Sequence, residues 1–544
     1  MRHSGSRVDV VIVTECSFPY VKGGVGGVIN QMITGLPDTK FGLIHLAWDE
    51  TATRDRKYQI PANLSWIKNI YLEPRRRNAS WRGEPFAGWI HRALRGSRSP
   101  ADLRTVMDAI DAATQGNYDG VRRMYRDYLN PRTRIDDLRR ILRSRQAMLA
   151  FEARYGSLGI SLTRTFWLFD NFMSILTMLA TEDYPDGTIY HAQTQLYAGL
   201  VAAMAATQNR RPMVLTEHGL NIRDSLAFIT ESNLHPIEKD TWKAWFRHIG
   251  RIVYEESAFA TYQFERNARD STSHGLDPRT VRMISNGINL DEFAQARQQN
   301  TTKRLFPERV WTIAYAGRIV EAKGILDLIE AIEILKKKTN IKFRVQIIGP
   351  SDGSEAFLSR CQKITKEREL TGIITFTGPR NLSEALGGVD ILVLPTHTDA
   401  LPIVLLEAMA SSVPVVATDV GAIMEVITNP VVNSADPSHP VGPAGIVIPP
   451  RIPTLLAKAI KDLVTDTRLY DACRQNGPER IEINHRADKI MAQYQELYQE
   501  ATRRQNTGYC GNDPTRLAKD ASNGATMPAD TSKIKLNDSK VISM

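Results

Sequence analysis

No run of about 18 apolar residues occurs in the 544-residue chain, so the sequence offers no segment able to span a bilayer as a helix. Cysteine is nearly absent: Cys16, Cys361, Cys473 and Cys510 are scattered, with no C-x-x-C pair among them. That spacing excludes a disulfide scaffold and a structural zinc site, and it fits a reducing, cytoplasmic compartment. The opening MRHSGSR-VDVVIVTE lacks the form of a signal peptide, because its apolar run is short, contains Asp9 and stops at Glu15. Two nucleotide-binding signatures are missing as well. The glycine loop GGVGG (23–27) is followed by Ile29 where a G-x-G-x-x-G fingerprint requires glycine, and GRIVEAKG (317–324) lacks the G-K-[ST] ending of a P-loop. No acidic cluster of metal-binding form stands out, so no metal is expected.

What is present is the balance of an ordinary globular protein, 42% hydrophobic and 24% charged. The length predicts about two to four domains. The net charge is +9, and residues 75–145 hold 17 Arg, no Lys and 8 Asp or Glu, which is itself +9. The rest of the chain is close to neutral. Such an Arg-dense segment suits an anionic membrane surface, a polyanion or an acidic partner, and equally a set of solvated helix faces. No nucleic-acid-binding motif accompanies it, which argues against nucleic acid.

Short β-branched runs alternate with helical patterns along the chain. VDVVIVTE (8–15) reads as a buried parallel strand, followed by the glycine loop and the helix GVGGVINQMITGL; FGLIHLAW (41–48), TIYHAQ (188–193) and PMVLTEHG (212–219) continue the series. A second series comprises WTIAYAGR (311–318), RVQIIGP (344–350), IITFTG (373–378), DILVLPT (390–396) and VPVVATD (413–419). This pattern predicts two doubly wound α/β domains facing each other across a cleft. The expected boundaries are 1–300 for an N-terminal domain with an Arg-rich helical insertion at 74–185, and 301–480 for a second domain. A last helix is expected at 481–503, and 504–544 would form a disordered tail. The polar stretch AQARQQNTTKRLFPER after Phe293 reads as an interdomain linker.

Three segments could carry chemistry. Gly23 and Gly24 precede a helix whose free N–H groups favour phosphate, although a plain tight turn explains them equally well. Arg318 and Lys323 leave the carboxyl end of a strand, the edge where open α/β sheets bind ligands, and a guanidinium with an ammonium suits a diphosphate. Standing alone, they read also as two surface cations near a helix start. In THTDALPIVLLEAMASSVPVVATD, Pro402 falls where an N1 proline is favoured, with Asp399 on the loop and Glu407 inside the helix. Both carboxylates would border one cleft and accept sugar hydroxyls. Asp399 serves equally as a complement to the helix dipole, whereas Glu407 interrupts an apolar run, where an unpaired charge is costly.

Together these residues resemble the family 4 glycosyltransferases. That family's segment E-G-x-P-x-x-x-x-E-A-M-A-x-G-x-P-V-V-A is similar to DALPIVLLEAMASSVPVVA here, supported by PYVKGGVGG, the TEHG turn, ISNGINLDEF and AGRIVEAKGILDLIEA. The N-terminal half, with PYVKGGVGGVINQMITGLP and VLTEHGLNIRD, resembles the PelF-type branch of exopolysaccharide synthesis. The resemblance covers roughly residues 8–500. It implies GT-B architecture, with 1–300 the acceptor-side domain, 301–480 the nucleotide-sugar-binding domain and the 481–503 helix packing back on the N-terminal domain. It also implies a retaining mechanism, a nucleoside diphosphate sugar (UDP-linked) as donor, a saccharide acceptor, and no metal or other cofactor. By the same resemblance Gly23 and Gly24 approach the donor phosphate or the reacting sugar, His218 lies beside the donor sugar, and Arg318 and Lys323 bind the diphosphate. Asp399 meets sugar hydroxyls, Glu407 the ribose, and Leu401, Pro402 and Ile403 the substrate. Cytoplasmic placement at the membrane with an inner-membrane polysaccharide synthase complex also follows from it.

The sequence departs from that pattern at three places. Asp399 replaces the usual Glu, Ala400 the usual Gly, and Ser411-Ser412 a frequent Cys-Gly or Ala-Gly. The departures leave two other readings open: a catalytically silent nucleotide-sugar-binding or scaffolding subunit, and a GT-B enzyme of different chemistry such as a phosphorylase or epimerase.

Overall fold

The computed structural model describes residues 7–72, 182–219, 221–302, 309–351, 353–433 and 436–506, with isolated residues between 104 and 179. The Arg-rich insertion expected at 74–185 lies almost wholly outside the described residues, as does the tail beyond 506.

The N-terminal sheet contains β1 (Val8–Glu15), β2 (Phe41–Ala47), β3 (Leu64–Tyr71), β4 (Gly187–Ala192), β5 (Met213–Glu217), β6 (Ser257–Tyr262) and β7 (Val281–Met283). Its spatial order is β3-β2-β1-β4-β5-β6-β7, with every pairing parallel. The apolar run of β1 is continuous because both faces are covered. Val11 and Val13 enter one core with Ala203 and Leu215, while Val10 and Ile12 enter the other with Ile29 and Met32.

The second sheet contains β8 (Trp311–Ala316), β9 (Phe343–Ile348), β10 (Ile374–Gly378), β11 (Ile391–Leu394), β12 (Val415–Thr418) and, after a hairpin of β13 (Val431–Asn433) and β14 (Asp436–Val441), β15 (Gly445–Ile448). Its order is β10-β9-β8-β11-β12-β15, again all parallel. Both sheets are thus doubly wound, reversing direction at β1/β4 and at β8/β11. Ligands bind at the carboxyl ends of the strands beside such reversals.

Two crossing segments join the halves and are bonded to each other. Ile288 N–H donates to His485 O at 2.7 Å, and Ala487 N–H donates to Ile288 O at 3.0 Å. From there the helix Ala487–Asn506 returns to the N-terminal half. Ile490, Met491, Tyr494, Leu497, Tyr498 and Ala501 form one apolar stripe in the same core as Val10 and Ile12. No described helix is long and apolar enough to cross a membrane.

The polar stretch read as a linker is largely a helix, Ala294–Thr302. Ala296 is buried in the second core, and the Asn300 amide donates to Leu386 O at 3.0 Å and to Ser411 O at 2.7 Å. A buried asparagine whose Nδ2 donates to two carbonyls has the composition of a loop and the packing of a core.

Candidate active site between the two sheets

The loops at the carboxyl ends of β1, β8 and β11 meet between the sheets. Tyr58 braces the glycine loop, its hydroxyl donating to Gly23 O at 3.4 Å. A side-chain carbon at Gly24 would lie 3.9 Å from Ile403 Cδ1, so the loop abuts the first turn of the facing helix Ile403–Ala410. Pro402 is the N-cap of that helix rather than its N1 residue: its ψ of 120° is extended, and the helix starts one residue later than expected.

The β8 loop is tied to the β11 loop at several points. His397 N–H donates to Ala322 O at 2.8 Å, and His397 Nε2 lies 2.8 Å from Asp327 Oδ2. The Lys323 ammonium pairs with the Asp399 carboxylate. The Asp399-Ala400 backbone rests on Gly421, where an added side-chain carbon would come within 2.3 Å of Asp399 O and φ is +57°. Only glycine admits both the close approach and the left-handed backbone there.

These loops enclose a cavity of about 590 Å³ lined by Gly23, Gly24, His218, Arg318, Lys323, Asp399, Leu401, Pro402 and Ile403, all of them sequence candidates. A second cavity of about 580 Å³ continues from it, sharing His218, Arg318, Lys323, Asp399 and Ala400. Glu407 lines neither. It sits a turn below the helix start, and burial together with nearby Glu292 pushes its carboxyl up to about 7. Glu407 lies four residues along the same helix from Ile403, which with Val404 lines the first cavity.

His218 follows β5 at the junction of the two cavities, and burial lowers its ring to about 4. Its neighbour Glu217 is buried, its Oε2 accepting from Tyr254 OH at 3.2 Å and Ser271 Oγ at 2.9 Å; desolvation pushes that carboxyl up to about 7. The Tyr254 bond holds β5 to the helix Pro236–Glu256, and the Ser271 bond holds it to the helix Glu265–Ser273, which carries Arg266 and Asn267 into the second cavity.

Several lining residues escaped sequence reasoning. Asn286, Arg380 and Leu382 face the first cavity, and Arg223, Asp224, Arg266, His397 and Asp419 the second. Arg380 and Arg266 each follow a strand end, so the carboxyl-edge rule applied to β10 and β6 would have found them. Among the described residues no group of three or more His, Cys, Asp or Glu is arranged to hold a metal ion.

Two family models match the chain. One, described as "Domain of unknown function (DUF3492)", covers residues 8–279; the other, "Glycosyl transferases group 1", covers residues 296–480. The chain carries a group 1 glycosyl transferase domain over residues 296–480. Its N-terminal half belongs to the DUF3492 family. The chain is 27% identical over 251 residues to a putative teichuronic acid biosynthesis glycosyltransferase, TuaC of Bacillus subtilis, covering 45% of this chain and 56% of that protein. It is thus aligned over little more than half the length of that relative. It is 24% identical to the capsular polysaccharide biosynthesis glycosyltransferase CapM of Staphylococcus aureus, covering 62% of this chain and 83% of that one. Anabaena HepE, solved with UDP and glucose, superposes with a TM-score of 0.54 at 13% identity, covering 91% of this chain and 100% of HepE. The shared fold is GT-B.

Proposed function

We propose that this transferase moves a hexosyl unit from a nucleoside diphosphate sugar, UDP-linked, onto a growing saccharide in exopolysaccharide or cell-surface glycan synthesis of the PelF type, with retention of anomeric configuration and without a metal ion. The observation that carries the reading is the pair of joined cavities meeting at His218, Arg318, Lys323 and Asp399. Cell-surface glycan synthesis is supported by the names of TuaC and CapM, and a uridine donor by HepE, which was solved with UDP.

The first cavity suits the donor. The glycine loop and the first-turn N–H groups of the helix Ile403–Ala410 offer donors to phosphate oxygens. Arg318 and Lys323 supply the charge that a metal provides elsewhere, offsetting the negative charge that develops on the departing diphosphate. Asp399 accepts from sugar hydroxyls once Lys323 turns to phosphate. The second cavity then receives the acceptor, which meets the sugar at the shared residues. The anomeric C–O(phosphate) bond breaks, the acceptor oxygen bonds to that carbon, and the acceptor proton leaves with the diphosphate oxygen.

The test is a panel of nucleotide sugars assayed for saccharide-dependent release of nucleoside diphosphate, with and without excess EDTA. Release from a UDP-sugar that survives chelation is expected. No release from any donor sinks the reading, and loss on chelation restored by Mn²⁺ or Mg²⁺ sinks its metal-free mechanism.

A further inference from the structure

Three adjacent strands end in the same way. The first residue past β4 is Gln193, past β5 is His218, and past β6 is Gln263, so the three form a row across the carboxyl edge of the N-terminal sheet. Both ring nitrogens of the histidine are engaged by its flanking amides. Nε2 lies 2.9 Å from Gln193 Oε1, and Nδ1 lies 3.3 Å from Gln263 Nε2. With both amides oriented as they stand, leaving Gln193 Nε2 and Gln263 Oε1 without partners, Nε2–H donates to Gln193 and Nδ1 accepts from Gln263. Gln193 is fully buried, and its backbone N–H donates to Val13 O at 2.9 Å, which fixes it against β1.

We propose that Gln193 and Gln263 are positioning residues that clamp His218 in its neutral Nε2–H tautomer, so that it meets the reacting sugar as an uncharged, fixed wall and not as a proton carrier. The geometry stands without any assumption about the reaction; only this consequence rests on the sugar-transfer reading above. An imidazolium would need an acceptor at both nitrogens, and Gln263 would have to turn its amide over to provide the second. The neighbouring charges add no compensating pair. His191 is near enough for its charge to act on the ring, Glu217 precedes it in the chain, and Arg266, Arg318, Lys323 and Asp419 share its cleft with Asp399, which Lys323 already holds. Arg223 is likewise paired, to Asp224.

The tautomer is read directly by side-chain nitrogen NMR of the full chain labelled with ¹⁵N-histidine, the signal being assigned by its loss in His218→Ala. One protonated and one bare nitrogen, unchanged from pH 8 to pH 5, are expected. A tautomer average, or titration with a midpoint above pH 6, overturns the clamp. Gln193→Glu places a carboxylate at Nε2 and should raise the ring's midpoint by more than one pH unit. It should also add an ionisation to the pH profile of kcat/KM that wild type lacks. If that variant does not fold, Gln263→Glu serves, with protonation or reversal of the tautomer expected. Gln193→Asn, which keeps the amide but shortens it, should lower kcat more than it raises the donor KM. An unmoved ring titration in the Glu variants overturns the proposal. The NMR arm reads the clamp even where no donor is turned over, so its failure and the failure of the transferase reading are separately visible.

Discussion

Lys323 and Asp399, 76 positions apart in sequence, form an ion pair that bridges the loops after β8 and β11 at the mouth shared by both cavities. Lys323 is also one of the two cations that the proposed function assigns to a diphosphate, so on that reading the ligand competes with Asp399 for it.

That competition separates the two variants. Lys323→Ala removes a charge-assisted contact of about 1.5–3 kcal/mol and leaves Asp399 without its partner. Nucleoside diphosphate affinity should fall at least about tenfold, since about 1.4 kcal/mol is a factor of ten. Arg318→Ala should do the same. Asp399→Asn instead frees Lys323, so affinity for the free diphosphate should be no weaker than in wild type while turnover of the nucleotide sugar drops. Calorimetry with the diphosphate, beside a turnover assay, distinguishes them; weakened diphosphate binding in Asp399→Asn would refute the competition.

Glu407 predicts an unusual pH response. Burial raises its carboxyl from 4.5 to about 7 in the folded chain. A carboxyl raised on folding favours the native state at acid pH, below the unfolded value, and loses that contribution as pH climbs through the folded one. The protein should therefore bear a penalty at pH 8 that Glu407→Gln removes, of at most about 3 kcal/mol. Thermal denaturation at pH 8 should show a higher Tm for the variant, with little difference near pH 4.5. Equal gains at both pH values would mean that the carboxyl does not titrate as described.

Ser412 adopts φ of 57°, a left-handed backbone that costs a residue with a side chain about 1–2 kcal/mol, and it is buried. Ser412→Gly relieves that strain but also loosens the unfolded chain, so a net stabilisation of about 0.5–1 kcal/mol is expected from urea unfolding. Destabilisation would show that the serine side chain contributes more than the backbone strain costs. The site is the one where the resembling family frequently has glycine, and the dihedral supplies the physical reason.

Much of the architecture was legible because buried parallel strands are short, apolar and β-branched. WTIAYA and VDVVIVTE stand out whatever surrounds them. β3 escaped because LSWIKNIY is only half-buried and alternates with polar residues, and β6 because SAFATY follows the helix Pro236–Glu256 with no breaker between. The donor-side residues were legible because loops at strand ends carried glycine or cations. The row of Gln193, His218 and Gln263 was not, since it exists only through the sheet order β4-β5-β6.

The C-terminal helix offers a last test, of whether the N-terminal half depends on it. Tyr498 OH lies 2.7 Å from His191 Nδ1, and His191 Nε2 lies 2.7 Å from Thr216 Oγ1, so the helix Ala487–Asn506 closes a buried polar chain running into β4 and β5. Burial pushes the His191 ring down to about 3, so it is neutral at pH 7 and needs a partner at each nitrogen. Tyr498→Phe keeps the packing and orphans Nδ1, at a cost of about 1–3 kcal/mol. Because the ring stays uncharged, that cost should be the same at pH 7 and pH 8. Wild type itself should lose stability as pH falls below the unfolded histidine value of 6.5, since the folded ring resists the proton that the unfolded one accepts. Urea unfolding of both proteins at the two pH values is the measurement. A loss that shrinks at pH 8 would mean that His191 is charged at pH 7, and a Tyr498→Phe variant as stable as wild type would mean that packing alone holds the helix to the N-terminal sheet.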